Sequence, residues 1–284
     1  MTISLAQRSR RLAMRITRHE RSIVADAARE RRPQRDQFPY REQGGPLFVL
    51  DVDRVTTQLL ALRRELPDVR IHFSTTSLPH PAVIRAVDAF GASFAVTSRG
   101  EIDALEREGV AIGRCLHVHA VKTVADITGS YLRGIRTFVV DSADEIAKFQ
   151  ELPDVAVLVR LAFSSPATGS GPSSTLRVAL RDARALVGDC LRAGVRVAGF
   201  TFQLGTSTAR ASSWTRAIRR TLTLMRRIER AYGIRFDTLD LGGGLPVAER
   251  GSESGLGGGM PVARDVRAAL ADAPSRYRIV IETA

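Results

Sequence analysis

Leu239-Asp240-Leu241-Gly242-Gly243-Gly244-Leu245-Pro246 is a short apolar strand that runs into three consecutive glycines and a proline. Glycine has no Cβ, so three in succession let backbone N–H groups close around an anion. A glycine run alone is also simply a turn. Its meaning comes from its place in the chain. Six strand-like runs alternating with helical runs precede it, and one more strand follows. Phosphate sites of (β/α)8 barrels lie in the loops after strands 7 and 8, and this stretch reads as the loop after strand 7.

Working outward, the barrel strands are expected at Val69–Thr75, Phe94–Thr97, Cys115–His119, Thr137–Asp141, Ala156–Ala162, Val197–Leu204, Thr238–Leu241 and Arg278–Glu282, with an additional strand before them at Leu47–Asp51. Helical runs fall between them, among them Pro81–Phe90, Arg99–Glu108 and Ser212–Tyr232. Ser98 with Glu101, and Ser142 with Glu145, have the spacing of capping boxes. Regular βα alternation argues for a barrel or a doubly wound sheet, and eight units favour the barrel. Residues 46–284 are expected to form it. The chain stops at Ala284, before the helix of the eighth unit, so a C-terminal domain is expected to have been lost. Residues 1–45 read as a basic helical arm and linker, with Leu5, Leu12, Ile16, Ile23 and Val24 at helical spacing.

Hydrophobic content of 44% and charged content of 25% over 284 residues are those of a soluble globular protein. No apolar run approaches the roughly 18 residues of a membrane span, and the N-terminus does not show the basic-then-apolar pattern expected of a secretory signal. A cytoplasmic location is expected. Cys115 and Cys190 are far apart in sequence and read as buried reduced thiols. The net charge of +12 is carried almost entirely by arginine, since Lys122 and Lys148 are the only lysines. There is no aromatic interleaving, and no nucleic-acid partner is expected.

Five segments, in order, resemble the fold-type III pyridoxal-phosphate decarboxylases, the ornithine, arginine and diaminopimelate decarboxylase group. They are Pro46-Leu-Phe-Val-Leu-Asp51, Phe94-Ala-Val-Thr-Ser-Arg-Gly-Glu101, Thr137-Phe-Val-Val-Asp-Ser142, Phe202-Gln-Leu-Gly-Thr206 and the triple glycine. The resemblance implies an alanine racemase/ornithine decarboxylase-type barrel, a role in amino-acid or polyamine metabolism, and active sites at a dimer interface. It also implies a C-terminal β-domain, which is expected to be missing here. The family's chemistry needs a lysine that forms a Schiff base with the cofactor, and Thr76 stands at that position here. A hydroxyl cannot form an imine. By the resemblance, Gln203 replaces a histidine that stacks on the cofactor ring, and Ala95 replaces an aspartate. Glu282 matches the carboxylate that pairs with the pyridine nitrogen. Thr206, Gly242, Gly243 and Gly244 match phosphate-binding positions, and Glu101 and Arg160 match residues near the site. Structural readings stand beside these: Glu101 as a capping partner, Arg160 with Glu282 as a buried ion pair, the glycines as a turn. Any pyridoxal 5'-phosphate would then be held non-covalently, unless Lys122, on the correct rim, serves as a surrogate.

His117 and His119 share one face of a strand by the period of two, and the family register points that face, with His72 and Thr76, into the barrel. Two inward histidines could ligate a divalent metal with Asp141 or Glu282, but no third ligand stands at recognisable spacing, and hydrogen-bonded core histidines are the plainer reading. The leading expectation is a divergent barrel protein without Schiff-base chemistry. It would bind a small phosphorylated ligand or an amino acid, as a homodimer or as a partner of a catalytic homologue. The alternatives are a decarboxylase or racemase of a basic amino acid with non-covalent cofactor, and a metal-dependent barrel hydrolase.

Overall fold

The computed structural model describes residues 50–163, 178–204, 211–245 and 259–283. The chain divides into two units, Met1–Asp53 and Arg54–Ala284. The expected basic arm, Thr206 and Pro246 lie outside the described residues.

Helix α1 (Val52–Glu65) leads into β1 (Val69–Ser74), and the chain then alternates. In order follow α2 (Pro81–Ala89), β2 (Ser93–Val96), α3 (Arg99–Arg107), β3 (Leu116–His117), α4 (Val124–Leu132), β4 (Thr137–Val140) and α5 (Ala143–Ala147). The second half comprises β5 (Ala156–Leu161), α6 (Ala183–Arg192), β6 (Arg196–Phe202), α7 (Ala211–Tyr232), β7 (Thr238–Asp240), α8 (Gly259–Leu270) and β8 (Arg278–Thr283). All eight strands are parallel and close into a barrel in sequence order, with β8 paired to β1. The expected (β/α)8 class is therefore the observed one. The expected strand at Leu47–Asp51 does not extend to Leu50 and Asp51, which are irregular, and residues 47–49 lie outside the described ones.

Local chemistry starts four of the helices where the chain leaves the strand ends. Ser98 accepts the Glu101 N–H at the start of α3 and Ser142 accepts that of Glu145 at α5. Thr123 and Asp126 form a reciprocal capping box on α4. Pro81 opens α2, where its missing N–H costs nothing. Along α7 the buried residues Trp214, Ala217, Ile218, Thr221, Leu222, Met225 and Ile228 recur every three or four positions, which gives the helix one apolar face. Trp214 meets Phe202 of β6 at 6.3 Å between ring centroids.

Inside the barrel, Ala95, Leu116, Val118, Val139, Ala156, Leu158 and Ala198 form one buried cluster contributed by successive strands. Leu116 and Val118 therefore face inward, and His117 faces the helix layer, stacked on Phe138. This corrects the expected orientation of the histidine pair. A register shift at Val157/Leu158 brings Gly199 against β7, where a Cβ would stand 1.8 Å from the Thr238 carbonyl oxygen. Only glycine permits that approach.

Candidate ligand site at the C-terminal mouth of the barrel

The glycine run leaves β7 at the mouth formed by the strands' C-terminal ends. Gly242 has φ 64° and Gly244 φ 105°, both in the left-handed region that favours glycine. A Cβ on Gly242 would lie 1.9 Å from the Phe202 carbonyl oxygen. The loop thus packs directly on the end of β6. A Cβ on Gly243 would stand 3.8 Å from Glu282 Cβ and 3.9 Å from Gln203 Nε2, so Gly243, Gln203 and Glu282 border one space. The Gly242 N–H donates to Asp240 Oδ1 at 2.9 Å, and the Glu282 N–H donates to the Gly242 carbonyl at 3.0 Å. Gly242 therefore shapes the cradle and spends its own donor on Asp240. The amides of Gly243 and Gly244 make no hydrogen bond among the described residues. The backbone fits a phosphate held by main-chain N–H groups.

Beneath the loop lies a pair of carboxyl groups. Asp240 is fully buried, with Oδ2 accepting the Thr201 hydroxyl at 2.7 Å. Its side chain and that of Glu282 stand within hydrogen-bonding reach of each other, and burial raises both carboxyls. Burial, the adjacent Asp240 charge and that hydrogen-bonding contact push Glu282 well above the usual carboxylate range. The expected Arg160–Glu282 ion pair is not formed among the described residues. Arg160 NH2 donates instead to the Val118 carbonyl at 2.5 Å, while its buried Nε has no partner. The arginine is near enough to favour the ionised form of both carboxyls.

Thr76 lies just past β1 and is exposed, with its hydroxyl 2.8 Å from that of Ser74. Ser74 is in register with the inward-facing Ala95, which sets both hydroxyls on the mouth side. Glu101 closes its own loop, accepting the Thr97 N–H at 2.9 Å, the Thr97 hydroxyl at 2.5 Å and the Ser98 hydroxyl at 3.1 Å. Ser98 accepts the Glu101 N–H in return, so one half of the expected capping box forms, while the carboxylate takes the Thr97 N–H and not that of Ser98.

Lys122 has a side chain only 1% exposed. Its ammonium donates to the carbonyls of His119 (2.9 Å), Ala120 (3.0 Å) and Val139 (2.7 Å) and lies 3.2 Å from Glu145 Oε2. All its donors are thereby engaged. Burial lowers its pKa to about 8, against the opposing pull of Glu145. Lys148 binds Glu145 from the other side and donates to the Lys122 carbonyl at 2.7 Å. The two lysines and Glu145 form one clamp between the ends of β3 and β4.

His117 is buried with an unpartnered Nδ1, and burial lowers its pKa to about 4. His119 is exposed beyond the end of β3, its Nδ1 against the Val121 carbonyl. Among the described residues no group of three His, Cys, Asp or Glu gathers as a metal site. Both cysteines are buried and free of disulfides. Asp240 went unrecognised in the sequence as a site residue, although its signal, one carboxylate between two leucines of a buried strand, was in the opening stretch. Glu145 was read only as a capping residue.

A family model described as "Pyridoxal-dependent decarboxylase, pyridoxal binding domain" matches residues 52–283. The chain is 29% identical over 237 residues to the ornithine decarboxylase of Leishmania donovani, covering 82% of this chain and 33% of that protein. It is 30% identical over 252 residues to the diaminopimelate decarboxylase of Actinosynnema pretiosum subsp. auranticum, covering 84% and 56%. It thus spans between a third and little more than half the length of these two relatives. Among solved structures, the lysine/ornithine decarboxylase of Vibrio vulnificus complexed with putrescine superposes with a TM-score of 0.77 at 28% identity, over 95% of this chain and 68% of that one.

Proposed function

This chain belongs to the pyridoxal-dependent decarboxylase family by its pyridoxal-binding domain, and from that premise we propose that it is a member that binds without decarboxylating. It holds a phosphorylated ligand of the pyridoxal phosphate type non-covalently and acts as a regulatory or partner subunit of a catalytic homologue. The observation that carries the reading is the engagement of both lysines. Lys122 spends its ammonium on three carbonyls and Glu145, Lys148 is bound to the same carboxylate, and the residue at the family's lysine position is Thr76. An imine requires a neutral, accessible amine; the Lys122 amine is walled in at 1% exposure, and the Lys148 ammonium is ion-paired with Glu145.

Gly243 and Gly244 would hold the phosphate through their amides, with Gly242 shaping the loop and Gln203 bordering the ring. Glu282 would face the ring nitrogen. Pyridoxal phosphate, when bound, supplies an electron sink for chemistry at an amino acid's α-carbon. The protein's share is to seat and orient it.

The test is direct. Purified protein incubated with pyridoxal 5'-phosphate should retain it on gel filtration, develop no visible imine band, and yield no borohydride-reduced peptide containing Lys122 or Lys148. Carbon dioxide release from ornithine, lysine, arginine or diaminopimelate should stay at background. Release above background would establish instead an enzyme that uses the cofactor without covalent attachment. The intact glycine cradle and Glu282 favour that second reading.

A further inference from the structure

An anion cradle with a buried carboxylate two residues away is electrostatically odd, because Asp240 repels the phosphate its own loop is shaped to receive. The carboxylate is nonetheless held firmly. Asp240 takes a main-chain N–H from Gly242 on Oδ1 and a hydroxyl from Thr201 on Oδ2. Register places it opposite Val280 of β8, and Glu282 lies two residues on, on the same face. Asp240 thus joins three pieces: the end of β6, the turn of the glycine loop and the carboxyl at the top of β8.

We infer that Asp240 is a positioning residue for the mouth of the barrel: it orients the Glu282 carboxyl and makes Glu282 the bearer of the proton there before a ligand arrives. Burial raises Asp240 as well, but the donors on Oδ1 and Oδ2 oppose that rise and favour its anion. Glu282 can approach that anion only with a proton, which it donates to Asp240. The charged groups around the pair do not reverse this. Arg160 from β5 pulls both carboxyls toward ionisation but donates to the Val118 carbonyl. His72 of β1, in register with Glu282, stays neutral, its pKa near 4. Asp141 beyond β4, itself within reach of Arg160, adds a further carboxylate. When a ligand presents a basic aromatic nitrogen, the proton passes from the Glu282 oxygen to that nitrogen, and the two carboxylates are left facing the cation. This last step rests on the ligand proposed above; the proton's place on Glu282 does not.

Infrared spectroscopy of the ligand-free protein, with isotope-labelled glutamate to assign the band, tests the inference. At neutral pH the carbonyl stretch of a protonated glutamic acid is expected, and Glu282→Gln should abolish it. Asp240→Asn keeps the shape of the side chain but removes the anion, so the titration midpoint of Glu282 should fall by about one to two pH units. Should Asp240→Asn not fold, Thr201→Val strips one donor from Asp240 and should weaken the glutamate band as the proton moves toward the aspartate. A glutamate band absent from the native protein, or unchanged in Asp240→Asn or Thr201→Val, overturns the inference. Binding of pyridoxine 5'-phosphate, which has no aldehyde, is measured separately against inorganic phosphate across pH. With the infrared result in place, failure of both to bind overturns the ligand reading and leaves the role of Asp240 standing.

Discussion

His117 lies face to face with Phe138 outside the barrel wall, the ring centroids 5.6 Å apart and the planes 24° from parallel. The imidazole sits where an apolar ring would serve, with Nδ1 unpartnered. The folded state holds its pKa near 4, burial being the largest cause, against 6.5 unfolded. As pH falls below 6.5 the unfolded chain takes up the proton first, so stability present above 6.5 is lost between 6.5 and 4. His72, also held near 4, acts in the same direction. Each contributes on the order of 3 kcal/mol of acid sensitivity. His117→Phe should leave the unfolding temperature at pH 7 nearly unchanged and raise it at pH 4.5 relative to the native protein.

Among the described residues Glu145 is the only carboxylate paired with Lys122. Glu145→Ala leaves a buried ammonium without an anion and Lys148 facing it, at a cost of about 3–5 kcal/mol. Lys148→Met, at a side chain 26% exposed, should cost well under half of that. Urea midpoints of the two variants provide the comparison.

The glycine loop tolerates a methyl group at one position and not at its neighbour. Gly242→Ala adds a Cβ 1.9 Å from a carbonyl oxygen at a positive φ, and should destabilise by on the order of 3 kcal/mol. Gly243→Ala meets only ordinary contacts at 3.8 Å and should fold normally. Calorimetric melting separates them.

Burial pushes both thiols, Cys115 and Cys190, up to about 12. Thiolate is the reacting form, so native protein at pH 8 should resist a water-soluble thiol reagent. Both cysteines should be labelled in guanidinium, as mass spectrometry would record.

The barrel was legible in the sequence because parallel strands and amphipathic helices alternate in pattern as well as in space. The face of β3 was not. Leu116-His117-Val118-His119 alternates in either phase, and a barrel strand is covered on both sides, so no water-facing phase marks the outside. The family register assigned the histidines inward, whereas the packed layer of Leu116 and Val118 holds that place. Asp240 was hidden for a related reason, since a charge amid leucines signals burial but not its partner. The Asp240–Glu282 contact joins residues forty-two positions apart and depends on the β7–β8 register. The Arg160–Glu282 pairing was misjudged because a nearby carbonyl, that of Val118, is invisible in side-chain identities.

The strand that precedes Lys122 is the shortest in the wall, with only two residues in its ladder. The Lys122 amine, in the loop beyond it, bridges the rim to β4 through the Val139 carbonyl, mortar where the courses of brick run out. Lending that nitrogen to an aldehyde would loosen the seam beside it.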